Sequence, residues 1–142
     1  MKTKFILSLA FAAIMLKPGA TYAIDPEAHA TATNVTAAGG MLYTFTVRNT
    51  DDGEINATSL SDENVRVTGP GGFDAAIAFI SAASSGNGSQ VTATYSFVPP
   101  GWSWDFADNG IYNLVMQLGQ VVDSIGNPVA AGIIGTGEGA SA

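Results

Sequence analysis

Hydrophobic side chains alternate with polar ones along much of the chain. In residues 41–48, Tyr43, Phe45 and Val47 fall on one face of an extended chain, and threonines and an arginine occupy most of the other face. Residues 90–98 alternate in the same way and end at a pair of prolines. Successive side chains of a β-strand point to opposite faces, and aromatic and β-branched residues suit such a half-buried surface. Both segments are therefore predicted to be strands.

Turn sequences divide the rest of the chain into short segments of the same kind. Glycine pairs, proline pairs and runs of Asn, Asp and Ser recur about every ten residues, and no amphipathic helical pattern follows residue 23. This spacing predicts an all-β, antiparallel sandwich of about seven strands. Further strands are predicted at residues 30–36, 65–68, 75–82, 111–118 and 129–134, and a polar turn at residues 49–56.

The first residues have the pattern of a secretory signal peptide. Lys2 and Lys4 precede an apolar run at residues 5–16, and Thr21 and Ala23 place small residues at the positions that a signal peptidase reads. The apolar run is short for a stable membrane anchor, which is the alternative interpretation. We expect a signal-peptide helix at residues 1–23, a sandwich domain at residues 24–134, and a flexible, glycine-rich tail at residues 135–142.

Cleavage after Ala23 would make the charge balance strongly acidic. The full chain has a net charge of −7, and the part after Ala23 keeps two cations, Arg48 and Arg66, against all twelve acids, a net charge of −10. Nucleic acid and anionic membrane surfaces are poor partners for such a domain. We also expect no membrane insertion of the processed chain, because it has no second apolar stretch of sufficient length.

The residues that most catalytic sites require are scarce. The only histidine is His29, the chain after Ala23 has no lysine, and there is no cysteine anywhere. The chain therefore has almost none of the residues needed for a Ser-His-acid triad, a thiolate nucleophile or a histidine-rich zinc site. A carboxylate pair for glycoside hydrolysis is compatible with the inventory, but the acids fall in turn motifs that have a structural explanation. We expect a non-enzymatic protein.

The segment Asp108-Asn109-Gly110-Ile111-Tyr112 has the pattern of a tyrosine corner. In that arrangement a tyrosine near the start of a late strand hydrogen-bonds the backbone a few residues upstream and fixes a crossover between the sheets. Gly110 and Tyr112 are its candidate structural residues. An ordinary turn before an amphipathic strand is the alternative.

The acidic side chains concentrate in three predicted loops. Hard cations such as Ca²⁺ take six to eight oxygen ligands from loops of this kind. Asp105, Asp108 and Asp123 are the best candidate ligands, and Asp51 and Asp52 come next. The spacing is that of neither an EF-hand loop nor an RTX nonapeptide, and a solvated acidic surface with Asp and Asn side chains capping their own turns is the alternative.

Two tryptophans, Trp102 and Trp104, lie in the predicted loop after the second strong strand. They flank Ser103, so an extended chain would point them to opposite sides. One interpretation is a ligand contact, in which an exposed indole stacks on a sugar ring or a protein partner. The other is that one indole fills the core while the second shields the loop.

Four segments together resemble the bacterial Ig-like, cadherin-like repeats of large exported surface, adhesin-like and calcium-rich proteins. The resemblance runs from about residue 34 to residue 132 and implies an Ig-like sandwich with a spacer or adhesion role and no catalytic residues. The chain departs from it by having a single copy, and by replacing the apolar final strand with a glycine-rich tail. An open sheet edge that accepts a neighbour's strand, a truncated gene and a disordered tail are the alternatives at that end. The segments are residues 43–47 (YTFTV), 55–73 (ending VRVTGPGGF), 104–112 (WDFADNGIY) and 119–132 (GQVVDSIGNPVAAG).

The sequence as a whole predicts a secreted, non-enzymatic Ig-like module with a structural, spacer or adhesion role, with calcium as its candidate cofactor. The alternative is an extracellular carbohydrate- or protein-binding module that uses the Trp102/Trp104 loop. Its expected partners are other extracellular or cell-surface proteins or polysaccharide. Its expected location is the cell exterior or cell surface, with the periplasm as the other exported compartment.

Overall fold

A computed structural model describes residues 23–84 and 86–140 of the chain. The predicted signal-peptide helix lies almost wholly outside the described residues and remains a prediction. Within the described part, no helix is long and apolar enough to cross a membrane. Helical structure there is limited to four single turns of 3₁₀ type, at Ala57–Ser59, Pro70–Gly72, Pro100–Trp102 and Phe106–Asp108.

Eight strands form two antiparallel four-stranded sheets, which confirms the all-β prediction. The first sheet contains, in spatial order, β1 (Glu27–Thr31), β2 (Tyr43–Ile55), β6 (Gly88–Phe97) and β5 (Ala78–Ala82). The second contains, in spatial order, β4 (Asp74–Ala76), β3 (Val65–Thr68), β7 (Ile111–Met116) and β8 (Gly132–Glu138).

The inward-facing side chains of both sheets form one apolar core. In β2, Phe45 and Val47 are buried, and the alternating Thr44, Thr46 and Arg48 are exposed or half-buried, as the alternation predicts. The second sheet contributes Val67 and Leu114 to the same cluster. Burial of one such aliphatic side chain contributes roughly 1.5–3 kcal/mol to the free energy of folding. The two-residue pattern therefore both specifies the strands and stabilises their packing.

The predicted turn at residues 49–56 is wrong, because β2 continues through it to Ile55. The register with β6 is regular from Tyr43 to Thr50 and then shifts before Ile55, which pairs with Gly88. Ile55 is fully buried and also forms a bridge with Asp123. An apolar anchor at its end thus holds an acidic segment in an extended conformation that local turn propensity disfavours.

The strand predicted at residues 75–82 is divided between the two sheets. Its first part belongs to β4 and pairs with β3, and its second part is β5, which pairs with β6. Ile77, between them, is buried. The chain therefore crosses from one sheet to the other at a single apolar residue, too short a break to appear as a turn in the sequence.

The expectation of a flexible tail from Gly135 is wrong for the described residues. Gly135 and Gly137 lie in β8, which pairs with β7 along its whole length, so the domain extends past residue 134 to at least Ala140. Glycine occupies every second position from Gly135 to Gly139. At Gly135 the neighbouring backbone is so close that a Cβ atom would stand 2.7 Å from the carbonyl oxygen of Ala30. These glycines let the end of β1 and the segment after it lie directly against β8, and the backbone N–H of Val35 donates to the carbonyl of Glu138 at 2.9 Å.

Candidate functional site

One end of the sandwich exposes a group of large apolar side chains, which we call the apolar pole. β2 begins and β6 ends there, since Tyr43 pairs with Phe97. The loop after β6 is joined to the segment before β2 by backbone bonds from Gly39 N–H to the Trp104 carbonyl and from Trp104 N–H to the Gly40 carbonyl. The apolar pole consists of Met41, Leu42, Val98, Trp102 and Phe106, all of them exposed.

Trp104 anchors the loop of the apolar pole. Its side chain is only 3% exposed. Its ring lies edge-on to Tyr112, with centroids 5.1 Å apart, and also contacts Phe97 and Tyr43. Such edge-to-face pairs contribute about 0.5–1.5 kcal/mol beyond their buried area. Trp104 is therefore part of the core, and the prediction of it as a ligand contact is not supported by its position.

Trp102 has the opposite environment. Its side chain is 75% exposed. Its φ angle is +75°, the only left-handed φ of a non-glycine residue in the described part of the chain. A conformation of this kind costs of order 1–3 kcal/mol, and such strain is concentrated at functional sites. The turn Pro99-Pro100-Gly101 holds it, with the Trp102 N–H donating to the Pro99 carbonyl at 3.2 Å.

A tyrosine hydrogen bond fixes the other side of the same loop. The hydroxyl of Tyr112 donates to the backbone carbonyl of Asp108 at 3.0 Å, four residues upstream, which is the bond that a tyrosine corner requires. Burial, together with the negative charges of Asp108 and Asp105, raises the pKa of Tyr112 to about 12. Gly110 is needed beside it, because φ there is +143° and a Cβ atom would stand 2.5 Å from the ring of Pro70.

The two acids of this loop have structural roles. The Asp105 carboxylate accepts from the N–H of Ala107 at 2.7 Å, and the Asp108 carboxylate accepts from the N–H of Asp105 at 2.9 Å. Together they form a reciprocal cap on a single helical turn. This arrangement corresponds to the alternative in which the acids cap their own turns.

The opposite end of the sandwich carries six of the twelve acidic side chains, and we call it the acidic pole. Asp51 and Asp52 line one concavity of about 340 Å³ with Asp25 and Glu27, and another of about 200 Å³ with Asp123. The N–H of Ser124 donates to the backbone carbonyl of Glu54 and closes the group. The acidic pole consists of Asp25, Glu27, Asp51, Asp52, Glu54 and Asp123.

Asp123 is the buried anchor of the acidic pole. One carboxylate oxygen accepts from the N–H groups of Ile125 and Asn127, at 2.9 and 2.8 Å, and the other accepts from the Asn127 amide at 2.8 Å. Burial by itself raises the pKa of Asp123, but the hydrogen bonds from Asn127 and Ile125 outweigh it and hold that pKa below the usual value. Asp51 is less satisfied: Oδ2 accepts from the N–H of Gly53, and Oδ1 is buried with no partner among the described residues.

The five predicted calcium ligands are divided between the two ends of the molecule. Asp105 and Asp108 lie beside the start of β7, whereas Asp123 bridges to the end of β2 near Asp51 and Asp52. The structure therefore does not bring Asp105 and Asp108 together with Asp123, and the five candidate ligands do not form one site. Within residues 23–84 and 86–140, no group of three or more His, Asp or Glu side chains is arranged to hold a metal.

A buried polar contact inside the core was not predicted. The hydroxyl of Tyr95 donates to Oδ1 of Asn64 at 2.8 Å, and the Asn64 amide donates to the Ser59 carbonyl at 2.9 Å. Burial raises the pKa of Tyr95. The sequence signal was Tyr95 itself, since a tyrosine at an inward position of a strand needs a partner for its hydroxyl. That the partner is Asn64, thirty-one residues earlier, depends on the topology.

The chain matches no protein-family model, no curated protein and no solved structure. Its resemblance to bacterial Ig-like repeats therefore remains a prediction from the quoted segments.

Proposed function

We propose that the chain is a secreted, non-enzymatic Ig-like module that acts in adhesion through its apolar pole. The observation that carries this proposal is the exposed indole of Trp102, held outward by a left-handed backbone at a non-glycine residue. Exposed aromatic side chains on a fixed loop are the typical anchors of protein–protein contacts. A chain under no functional constraint would gain stability by replacing this residue with glycine.

The strand order supports an Ig-like assignment. When the strands are lettered in chain order, with β4 as an added C′ strand, the first sheet becomes A-B-E-D and the second C′-C-F-G. Sheets A-B-E-D and C-F-G are those of the seven-stranded immunoglobulin domain, in which a tyrosine corner lies at the start of strand F. Tyr112 occupies that place in β7.

Export is supported by the N-terminal pattern. A basic start, a twelve-residue apolar run and small residues before Ala23 are typical of a cleaved signal peptide. The absence of lysine after that point, and the single histidine, support a role without catalysis. The location we propose is the cell exterior or cell surface, or the periplasm.

The chemistry of the apolar pole favours a protein partner with its own apolar surface. None of its five side chains carries a charge, and the tryptophan and phenylalanine provide large contact areas with little loss of side-chain entropy. A polysaccharide is the second candidate, because the exposed Asp105 and Asn109 place polar groups in the same loop as the exposed indole. If the domain acted only as a spacer between other domains, the strained backbone at Trp102 would serve no function.

Binding to two kinds of target tests the proposal. Purified protein would be incubated with the cells that export it and with a panel of purified polysaccharides, and the bound fraction measured. We expect Trp102→Ala to weaken cell binding at least tenfold. The control is Leu118→Ala, which removes an equally exposed apolar side chain from the other end of the sandwich. Equal binding by both variants would contradict the adhesive role of the apolar pole, and binding to a polysaccharide alone would favour the second candidate.

Calcium remains part of the proposal as a stabilising ion. The acidic pole supports this role, because Asp51, Asp52 and Asp123 line a common concavity there and one oxygen of Asp51 has no partner among the described residues. Carboxylates that crowd without counter-ions repel each other, and a divalent cation would relieve that repulsion.

A further inference from the structure

A cleft of about 260 Å³ separates the edges of the two sheets on one side of the sandwich. Its walls are residues 26–29, which include most of β1, and residues 129–134, which lead into β8. Among the described residues, β1 pairs only with β2, and β8 pairs only with β7. The edge of each strand that faces the cleft is therefore not part of a sheet ladder.

The two edges meet only farther along the chain. Ala30 packs directly against the backbone of Gly135, and Val35 is hydrogen-bonded to Glu138. Before that point the edges diverge, and the pairing of β8 with β7 shifts register between Leu114 and Val115. A bulge of this kind bends a strand away from its neighbours. The cleft is thus a wedge between two strand edges that is closed at one end and open at the other.

The walls of the cleft combine an apolar floor with an acidic mouth. Ala28 and Val129 are buried at its base, and Ile133, at its rim, is 63% exposed. Glu27 lines both this cleft and the neighbouring concavity that contains Asp25 and the acids at the end of β2. An occupant therefore meets apolar surface inside and negative charge at the entrance.

Few cations in the described part of the chain can neutralise this entrance. The imidazole of His29 lies 3.8 Å from the Glu27 carboxylate, and it is charged only when protonated. Arg66 is already paired with Asp74 at 2.8 Å, in the other sheet. Arg48 lies across from His29 in the pairing of β1 with β2, and no ion pair joins it to an acid among the described residues. With Asp25, Glu27, Asp51 and Asp52 beside it, the mouth of the cleft keeps an excess of negative charge that an external cation can neutralise.

We propose that this cleft binds an extended segment of a second protein, one in which basic and apolar residues alternate, as an added β-strand. Unpaired strand edges favour an extended occupant, because its backbone can complete their hydrogen bonds. The period of two would send apolar side chains toward Val129 and basic ones toward Glu27 and Asp25. A second copy of this chain is disfavoured as the occupant, because the part after Ala23 carries twelve acids and only two arginines.

Synthetic peptides test the proposal on the purified exported protein. The probe is a fluorescent hexapeptide, Lys-Val-Lys-Val-Lys-Val, and the comparison peptides replace its lysines with glutamates or its central valine with proline. We expect the first to bind, and the glutamate and proline versions to bind at least tenfold more weakly. Amide hydrogen exchange should slow at residues 27–29 and 132–134. Equal binding of the proline peptide would overturn the proposal, because it would indicate charge attraction without strand pairing.

Two matched pairs of variants locate the binding site. Glu27→Lys and Ile133→Lys should each weaken binding of the Lys-Val peptide at least tenfold. Their controls, Glu63→Lys and Leu118→Lys, make the same changes at exposed positions outside the cleft and should leave binding unchanged. Equal effects in a variant and its control would overturn the assignment to the cleft. So would self-association of the protein that protects the same amides, since the occupant would then be a second copy.

Discussion

The two poles of this sandwich are built on the same strands and stabilised by different chemistry. At the apolar pole, aromatic packing of Trp104 and the Tyr112 hydroxyl bond fix the loop. At the acidic pole, carboxylate oxygens of Asp123 fix the turn by accepting backbone N–H groups. Aromatic packing depends little on pH or ionic conditions, whereas carboxylate contacts depend on ionisation. One domain thus presents one surface that is insensitive to pH and salt and another whose stability depends on them.

The largest expected effect comes from a glycine beside the apolar pole. A Cβ atom on Gly139 would stand 2.2 Å from the carbonyl oxygen of Asp108 and 2.6 Å from the ring of Tyr112. Because backbone must move to relieve that contact, Gly139→Ala should lower the free energy of unfolding by about 3 kcal/mol. Urea unfolding measures it. Gly86→Ala is the control, since no atom lies within 4 Å of its Cβ position; an equal loss there would show that the close contact is not the cause.

Loss of the tyrosine-corner bond should have a smaller effect on the same pole. Tyr112→Phe removes the hydroxyl that donates to Asp108, and we expect a loss of about 1 kcal/mol. Amide exchange should speed up in residues 105–109. Tyr95→Phe is the matched comparison, because it removes the bond to Asn64 in the core and should leave exchange in that loop unchanged. Unchanged loop exchange in Tyr112→Phe would mean that Trp104 alone holds the loop.

Calcium should act on the acidic pole alone. We expect millimolar Ca²⁺, compared with EDTA, to raise the melting midpoint by roughly 4 °C, because a ligand that binds only the folded form stabilises it. The double variant Asp51→Asn/Asp52→Asn should lose this response, and Asp105→Asn should keep it. No change in the wild-type midpoint would eliminate calcium as a cofactor, and a response lost only in Asp105→Asn would move the ion to the other pole.

The smallest effect expected is a change in acid sensitivity. The pKa of Asp123 in the folded chain is below 3.8, its value in an unfolded one. Its carboxylate therefore stabilises the fold fully above the unfolded-state pKa, and that contribution is lost as the pH falls through the folded-state pKa. Urea unfolding of wild type and Asp123→Asn should differ most at neutral pH and converge below pH 3.8. A difference that stays constant across this range would exclude ionisation of Asp123 as the cause.

Alternation in the sequence was enough to predict the central strands. Phe45 and Val47 in β2, and Val91 and Tyr95 in β6, face inward as their period of two indicates. The position of the tyrosine bond was also readable, because Tyr112 and its carbonyl partner are only four residues apart. Local patterns of this kind need no knowledge of the topology.

Features that depend on distant parts of the chain were not predictable in the same way. Whether Asp108 and Asp123 meet depends on which end of the sandwich each loop occupies. Both loops have the Asp, Asn and Gly composition of a turn, which does not indicate the end. Ile55, at the end of an extended acidic segment, is buried and bridges to Asp123, sixty-eight residues away. The crossing at Ile77 occupies one residue and carries no turn signal. In each case tertiary packing overrode local propensity.

The alternate glycines in β8 and directly after it tolerate unusually little substitution. Gly135, Gly137 and Gly139 look like the composition of a disposable linker, yet each faces a neighbouring residue at a distance that leaves little or no room for a methyl group. Recombinant versions trimmed at residue 134 would lose most of the edge strand β8 and its pairing with Leu114. A saturation library should therefore find these positions among the least replaceable in the protein, while the threonine between the first two accepts most residues.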